Sequence, residues 1–186
     1  MGFWKSLWRW PPRWRWLLIP LGGWLALLMG MVAWAGFNGV MHATSTNEFC
    51  YGCHIGTDTV VEEYQASAHF SNEHGVAATC ADCHIPHEFV PKLITKAKAT
   101  ADVYHQLVGT INLENFESHR GEMAEAIWRD MASNDSRACR TCHDPTRWEP
   151  ALQSVRAQNS HNPTFWQEKG MTCIDCHRGV AHRLPR

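Results

Sequence analysis

Polar and apolar positions divide this chain into one long uncharged run and a series of short helical patterns. From Leu17 to about Met41 no side chain carries a charge. At 1.5 Å per residue, roughly 20 such residues cross the ~30 Å hydrocarbon layer of a bilayer. A lone span must be helical, because each backbone amide has to be satisfied within the segment. Further on, Phe116, Met123, Ile127 and Met131 recur at helical intervals, which predicts a helix over 115–131. A second long helix is expected over 89–108, with shorter ones over 59–70 and 149–158. Asn134-Asp135-Ser136 and Asp144-Pro145 read as turns.

The residues in front of the apolar run sharpen its reading. Residues 1–16 hold Lys5, Arg9, Arg13 and Arg15, no acidic residue, and five tryptophans. Cationic and indole side chains suit the headgroup zone of a membrane. Two other readings compete. A cleavable signal peptide needs a shorter apolar stretch, although Ala33-Trp34-Ala35 faintly resembles a cleavage site. A buried soluble helix does not explain the basic, tryptophan-rich prefix. The expected organisation is therefore a cytoplasmic or interfacial segment 1–16, a retained transmembrane helix 17–41, and a domain 42–186 on the far side of the membrane. The excess of positive charge before the span places the N-terminus in the cytoplasm and the domain in the periplasm.

Cysteine usage supplies the chemistry. All eight cysteines fall in four copies of C-x-x-C-H: Cys50, Cys53 and His54; Cys80, Cys83 and His84; Cys139, Cys142 and His143; Cys173, Cys176 and His177. The pattern is that of c-type haem attachment, in which two thiols bond one porphyrin and the adjoining imidazole binds its iron. Zinc knuckles share the cysteine spacing but have no need of a histidine directly after the second cysteine. No cysteine is left for a disulfide or a nucleophile. Four covalently bound haem c groups are expected, and a chain of 186 residues would fill its interior with them rather than with side chains. The fold class is mainly α, a haem-packed multihaem domain of short helices and loops with almost no sheet. The formal net charge of −1 argues against a nucleic-acid partner.

Twelve histidines minus four proximal ones leaves His42, His69, His74, His87, His105, His119, His161 and His182 as candidate second ligands. Position along the chain does not pair them. Asn47-Glu48-Phe49, Gly75-Val76, the run from Cys80 to His87, Asn134-Asp135-Ser136-Arg137 and the run from Thr172 to His182 resemble the NapC/NirT family of membrane-anchored multihaem quinol dehydrogenases. His42-Ala43-Thr44-Ser45-Thr46 is similar to its CymA-type members. The resemblance implies distal ligands at His87, His161 and His182. It further implies His161 on the haem of His84, His182 on that of His143 and His87 on that of His177. His69 matches a recurrent histidine, as an alternative ligand or a quinol-site residue; the remaining four are bystanders. The run His54-Ile55-Gly56-Thr57-Asp58 lacks the methionine that NrfH- and NapC-type members carry there, which implies a five-coordinate, high-spin first haem.

The same resemblance places Lys96 and Asp102 at a quinol site, Asp102 as proton acceptor and Lys96 as hydrogen-bond donor to a quinol oxygen. By spacing alone, Lys98 and Asp102 would be an ordinary exposed i,i+4 pair. The implied activity is oxidation of menaquinol or ubiquinol at the first haem, with electrons passing through the other three to a periplasmic terminal reductase in anaerobic respiration. Alternatives are a relay or docking anchor without its own quinol site, or the reverse reaction, quinone reduction. The implied partners are the membrane quinol pool and a periplasmic reductase or cytochrome, and the chain could form a homo-oligomer.

Overall fold

Each cysteine pair sits on or beside a very short helix, and the fold is largely the scaffold that sets these turns side by side. The computed structural model describes residues 2–10, 19–53 and 58–186, Cys53 by its backbone only. His54 and residues 55–57 lie outside the described residues, as do residues 11–18. Two compact units result, Met1–Ser45 and Thr46–Arg186.

In the first unit, α1 (Phe3–Leu7) precedes α2 (Leu21–Ala43). Pro20, extended at φ −64° and ψ 154°, supplies the N-cap of α2, a position where proline's missing N–H is harmless. The helix therefore begins four residues later than the apolar composition predicts and continues two residues further. Gly22 is buried because a Cβ there would meet the Trp8 ring at 3.1 Å, so α1 and α2 approach through a residue without a side chain. Among the described residues α2 is the one helix long and apolar enough to cross a membrane.

The second unit contains α3 (Asn47–Cys53), α4 (Val60–Gln65), α5 (Cys80–His84), α6 (Phe89–Leu107), α7 (Phe116–Ser133), α8 (Arg137–Arg140), α9 (Val155–Ser160), α10 (Pro163–Gln167) and α11 (Cys173–Cys176). No strand occurs among the described residues. The helix expected over 149–158 is broken in two. Pro150 opens a single 3-10 turn, and Ser154 then caps α9 by accepting a hydrogen bond from the Ala157 N–H at 3.2 Å.

Val61, Tyr64, Phe116 and Ile174 are the buried apolar side chains among the described residues. That is too small an apolar core to hold a domain of this length by itself. A polar clamp reinforces it. Arg120 on α7 donates from Nη1 and Nη2 to both carboxylate oxygens of Glu63 on α4, at 2.8 and 2.5 Å, and from Nη2 to the carbonyl of Arg183 at 2.6 Å. The Arg183 N–H returns a bond to Glu63 at 2.8 Å. The C-terminal tail is thereby fastened to α4 and α7, and His182 with it.

Candidate haem-attachment row and histidine pairs

The attachment helices are capped by their own sequence. In α5 the Thr79 N–H donates to Asp82 Oδ2 at 2.7 Å while Thr79 Oγ1 accepts from the Asp82 N–H at 3.3 Å. The Thr172 N–H makes the equivalent bond to Asp175 at 2.7 Å ahead of α11. Thr-x-x-Asp around a cysteine pair is thus a capping box that fixes the turn on which the thiols sit. Helix α8 starts differently. Asp135 and Ser136 adopt left-handed backbone with φ 58° and 48°, which turns the chain sharply out of α7 and into Cys139.

Adjacent motifs are tied to one another in chain order. Asn47 Oδ1 on α3 accepts the N–H of Cys80 at 2.9 Å, and the Cys50 and Cys80 thiols lie within hydrogen-bonding reach. Burial and then the neighbouring Cys50 push the Cys80 thiol up to about 11. Helix α5 packs on α8, which carries Cys139 of the third motif. The fully buried Ser136 ahead of α8 shares a 2.7 Å hydrogen bond with Thr172 and accepts the Ile174 N–H at 3.1 Å, and Cys139 senses Cys173. The motifs form one row: first, second, third, fourth.

Three histidine pairs lie along it. The ring centres of His84 and His182 are 6.2 Å apart, those of His143 and His69 6.2 Å, and those of His177 and His161 5.9 Å. Metal–imidazole bonds of about 2 Å plus the ring's own radius put two imidazoles on opposite sides of one iron about 6 Å apart, centre to centre. In every pair the ring from outside the motif has its Nδ1 engaged. His182 Nδ1 meets the Val60 carbonyl at 3.0 Å, His69 Nδ1 the Val180 carbonyl at 3.3 Å, and His161 Nδ1 the Gln153 side-chain oxygen at 2.8 Å. A proton held on Nδ1 by an acceptor leaves the Nε2 lone pair for a metal.

These pairs differ from those implied by resemblance. The structure sets His182 against His84 rather than His143, and His161 against His177 rather than His84. His69 takes the place opposite His143, and His87, exposed between α5 and α6, belongs to none of the three pairs. The physical reason is the clamp: Glu63 and Arg120 hold the tail against α4, which carries His182 to the second motif. Val180, just before it in the chain, meets His69 as that ring reaches the third. Nothing in local spacing announces these contacts, since Arg120 and Glu63 are 57 positions apart.

Of the two residues singled out on α6, Lys96 is half-buried and Asp102 exposed. The Lys96 ammonium is pushed down by burial and by Lys92, against the opposing influence of Cys50. Asp102 lies six residues on, about 120° around an ideal helix, and does not share that side.

The donor set fits haem c. Thiols come in pairs on adjacent turns and imidazoles in facing pairs, whereas no three His, Cys, Asp or Glu side chains converge among the described residues as a zinc site would require. Such a row of paired thiols and facing imidazoles defines a multihaem c-type cytochrome, an electron-transfer protein. The chain belongs to the NapC/NirT cytochrome c family, whose N-terminal-region description matches residues 14–186.

Relatives agree. The chain is 44% identical to the cytochrome c-type protein NapC of Escherichia coli K12 over 190 residues, covering 99% of this chain and 92% of that protein. It is 46% identical over 173 residues to a putative tetraheme cytochrome-c type protein of Allochromatium vinosum, covering 92% and 91%. It is 40% identical over 168 residues to the denitrification system component NirT of Stutzerimonas stutzeri, covering 89% and 83%. No solved structure matches.

Proposed function

We propose that this chain is a single-pass inner-membrane quinol dehydrogenase. It takes two electrons and two protons from menaquinol or ubiquinol beside the first motif and delivers the electrons to a periplasmic reductase of anaerobic respiration. The observation that carries the reading is the row itself: the motifs are joined in chain order, and the first begins seven residues after the apolar helix ends at Ala43. Bound haem c supplies the one-electron redox chemistry that no side chain of this protein provides.

The protein's own groups do the rest. Cys50 and Cys53, Cys80 and Cys83, Cys139 and Cys142, and Cys173 and Cys176 anchor the porphyrins. His54, His84, His143 and His177 are the proximal ligands, and His182, His69 and His161 are the distal ligands of the second, third and fourth sites in that order. Lys96, half-buried on α6, donates a hydrogen bond to a quinol oxygen. Asp102, exposed on the same helix, accepts a departing proton and passes it to water.

Anaerobic stopped-flow reduction of the purified full chain by a soluble menaquinol analogue tests the activity. Direct reduction of the haem bands is expected, and Lys96→Ala slows it at least about tenfold, the loss of about 1.4 kcal/mol of transition-state binding, while dithionite reduction is unchanged. A relay or anchor without a quinol site stays oxidised under quinol. EPR of the ferric protein tests the ligands. Three low-spin signals from the histidine pairs and one high-spin signal from the first site are expected, and His182→Ala converts one low-spin signal to high spin.

A further inference from the structure

Helix α6 turns its apolar residues outward. Phe89, Val90, Ile94, Tyr104, Leu107 and Val108 are 53, 61, 52, 62, 80 and 53% exposed, and no residue of α6 is buried. At 100° per residue these six fall within an arc of about 140°. Lys92 and Lys96, both half-buried, border the arc on one side, and His105 and Lys98 border it on the other. A soluble surface seldom shows a contiguous apolar face of this length. A helix lying in a membrane interface has this build, an apolar face edged by cations.

A second observation says what covers it. Asn47 on α3 accepts the N–H of Cys80 at the head of α5, α6 begins at Phe89 five residues after α5 ends at His84, and Cys50 on α3 is seven residues beyond the end of α2, the membrane-length helix. Seven fully extended residues reach at most about 25 Å. The first motif is therefore tethered close to wherever α2 leaves the bilayer, and α6 goes with it. The bordering lysines complement anionic lipid phosphates.

We infer that α6 is an interfacial membrane-binding helix, resting its apolar face at the headgroup–acyl boundary of the leaflet nearest the second unit, with Lys92 and Lys98 directed to acidic phospholipid headgroups. The inference requires α2 to span the bilayer and is independent of quinol oxidation. It makes the second unit a body seated on the lipid surface.

The full-length holoprotein in nanodiscs of phosphatidylcholine and phosphatidylglycerol tests it. In the matured protein every native cysteine is a thioether, so an introduced cysteine is the sole free thiol. Ile94→Cys and Tyr104→Cys should react with a membrane-impermeant maleimide at least about tenfold more slowly than Leu152→Cys, as a thiol at the acyl boundary would; Leu152 is 87% exposed on a 3-10 turn of the second unit. Equal rates overturn the proposal. In the unmutated protein a lipid-borne carbene should mark both α2 and α6 in peptide mass spectra. Marking of α2 without α6 overturns the interfacial helix alone. Protection of Ile94→Cys with no carbene on α6 overturns it in favour of a covering protein, either a second copy or a partner. Failure to mark α2 sinks the membrane reading and this inference together.

Discussion

Helices α6 and α7 are nearly equal in length, 19 and 18 residues, and adjacent in the chain, yet they invert the usual relation between polarity and burial. The more apolar α6 has no buried residue. The more charged α7 buries Phe116 and the guanidinium of Arg120 and packs on α11. Composition alone would have put α6 inside. The difference teaches that in this protein the helix with polar side chains holds the frame, because it has Glu63, the tail carbonyl and α11 as partners, whereas the apolar helix is presented to something other than water.

The largest expected effect lies on the α7 side. Arg120 and Glu63 are 9% and 7% exposed at the side chain, so removing one partner strands a buried charge. Arg120→Ala should cost about 3–5 kcal/mol, measured by denaturant unfolding of the holoprotein in detergent. It should also loosen the tail and broaden the low-spin EPR signal of the second site. The same pair predicts an acid limb. Burial pushes the Glu63 carboxyl up, but the Arg120 hydrogen bond, the Arg183 N–H and the charges of both arginines outweigh it, and the net shift is downward. A depressed folded-state pKa stabilises fully above the unfolded value of about 4.3 and loses that contribution as pH falls through the folded value. Stability should fall below about pH 4.3, and Glu63→Gln should flatten that limb.

Local features of this arrangement were legible in the sequence, while the long-range ones were not. The four C-x-x-C-H turns, the apolar helix and the two long helices follow from spacing and periodicity. The predicted 89–108 and 115–131 compare with Phe89–Leu107 and Phe116–Ser133. The break at Ser154 was signalled by Pro150 and by a serine able to cap. Pairing of the histidines was illegible. His182 reaches His84 only because Glu63, Arg120 and the Val60 carbonyl fix the tail, and these contacts join positions more than fifty residues apart. The direction in which α6 faces was illegible for the same reason: an amphipathic pattern says that one side differs, not which side meets the protein.

A middle-sized effect is expected where α7 hands over to α11. Ser136 is fully buried, sits in left-handed backbone, and joins the Thr172 hydroxyl and the Ile174 N–H. Ser136→Ala leaves both without their partner and should cost about 1–3 kcal/mol. Ser136→Gly relieves the backbone strain yet restores neither bond. If glycine recovered wild-type stability in the same unfolding measurement, conformation rather than hydrogen bonding would be what Ser136 contributes.

The smallest effect should fall on α6. Ile94 is 52% exposed, so Ile94→Ser removes no side chain from a packed interior, and in detergent its unfolding free energy should stay within about 0.5 kcal/mol of wild type. Phe116→Ala, in the α7 core, should instead cost about 3–5 kcal/mol. The contrast between these two variants isolates burial from hydrophobicity, because both delete apolar area from a long helix of the same unit. Should Ile94→Ser destabilise as much as Phe116→Ala, α6 would be packed against protein in solution. The inversion between the two helices would then disappear.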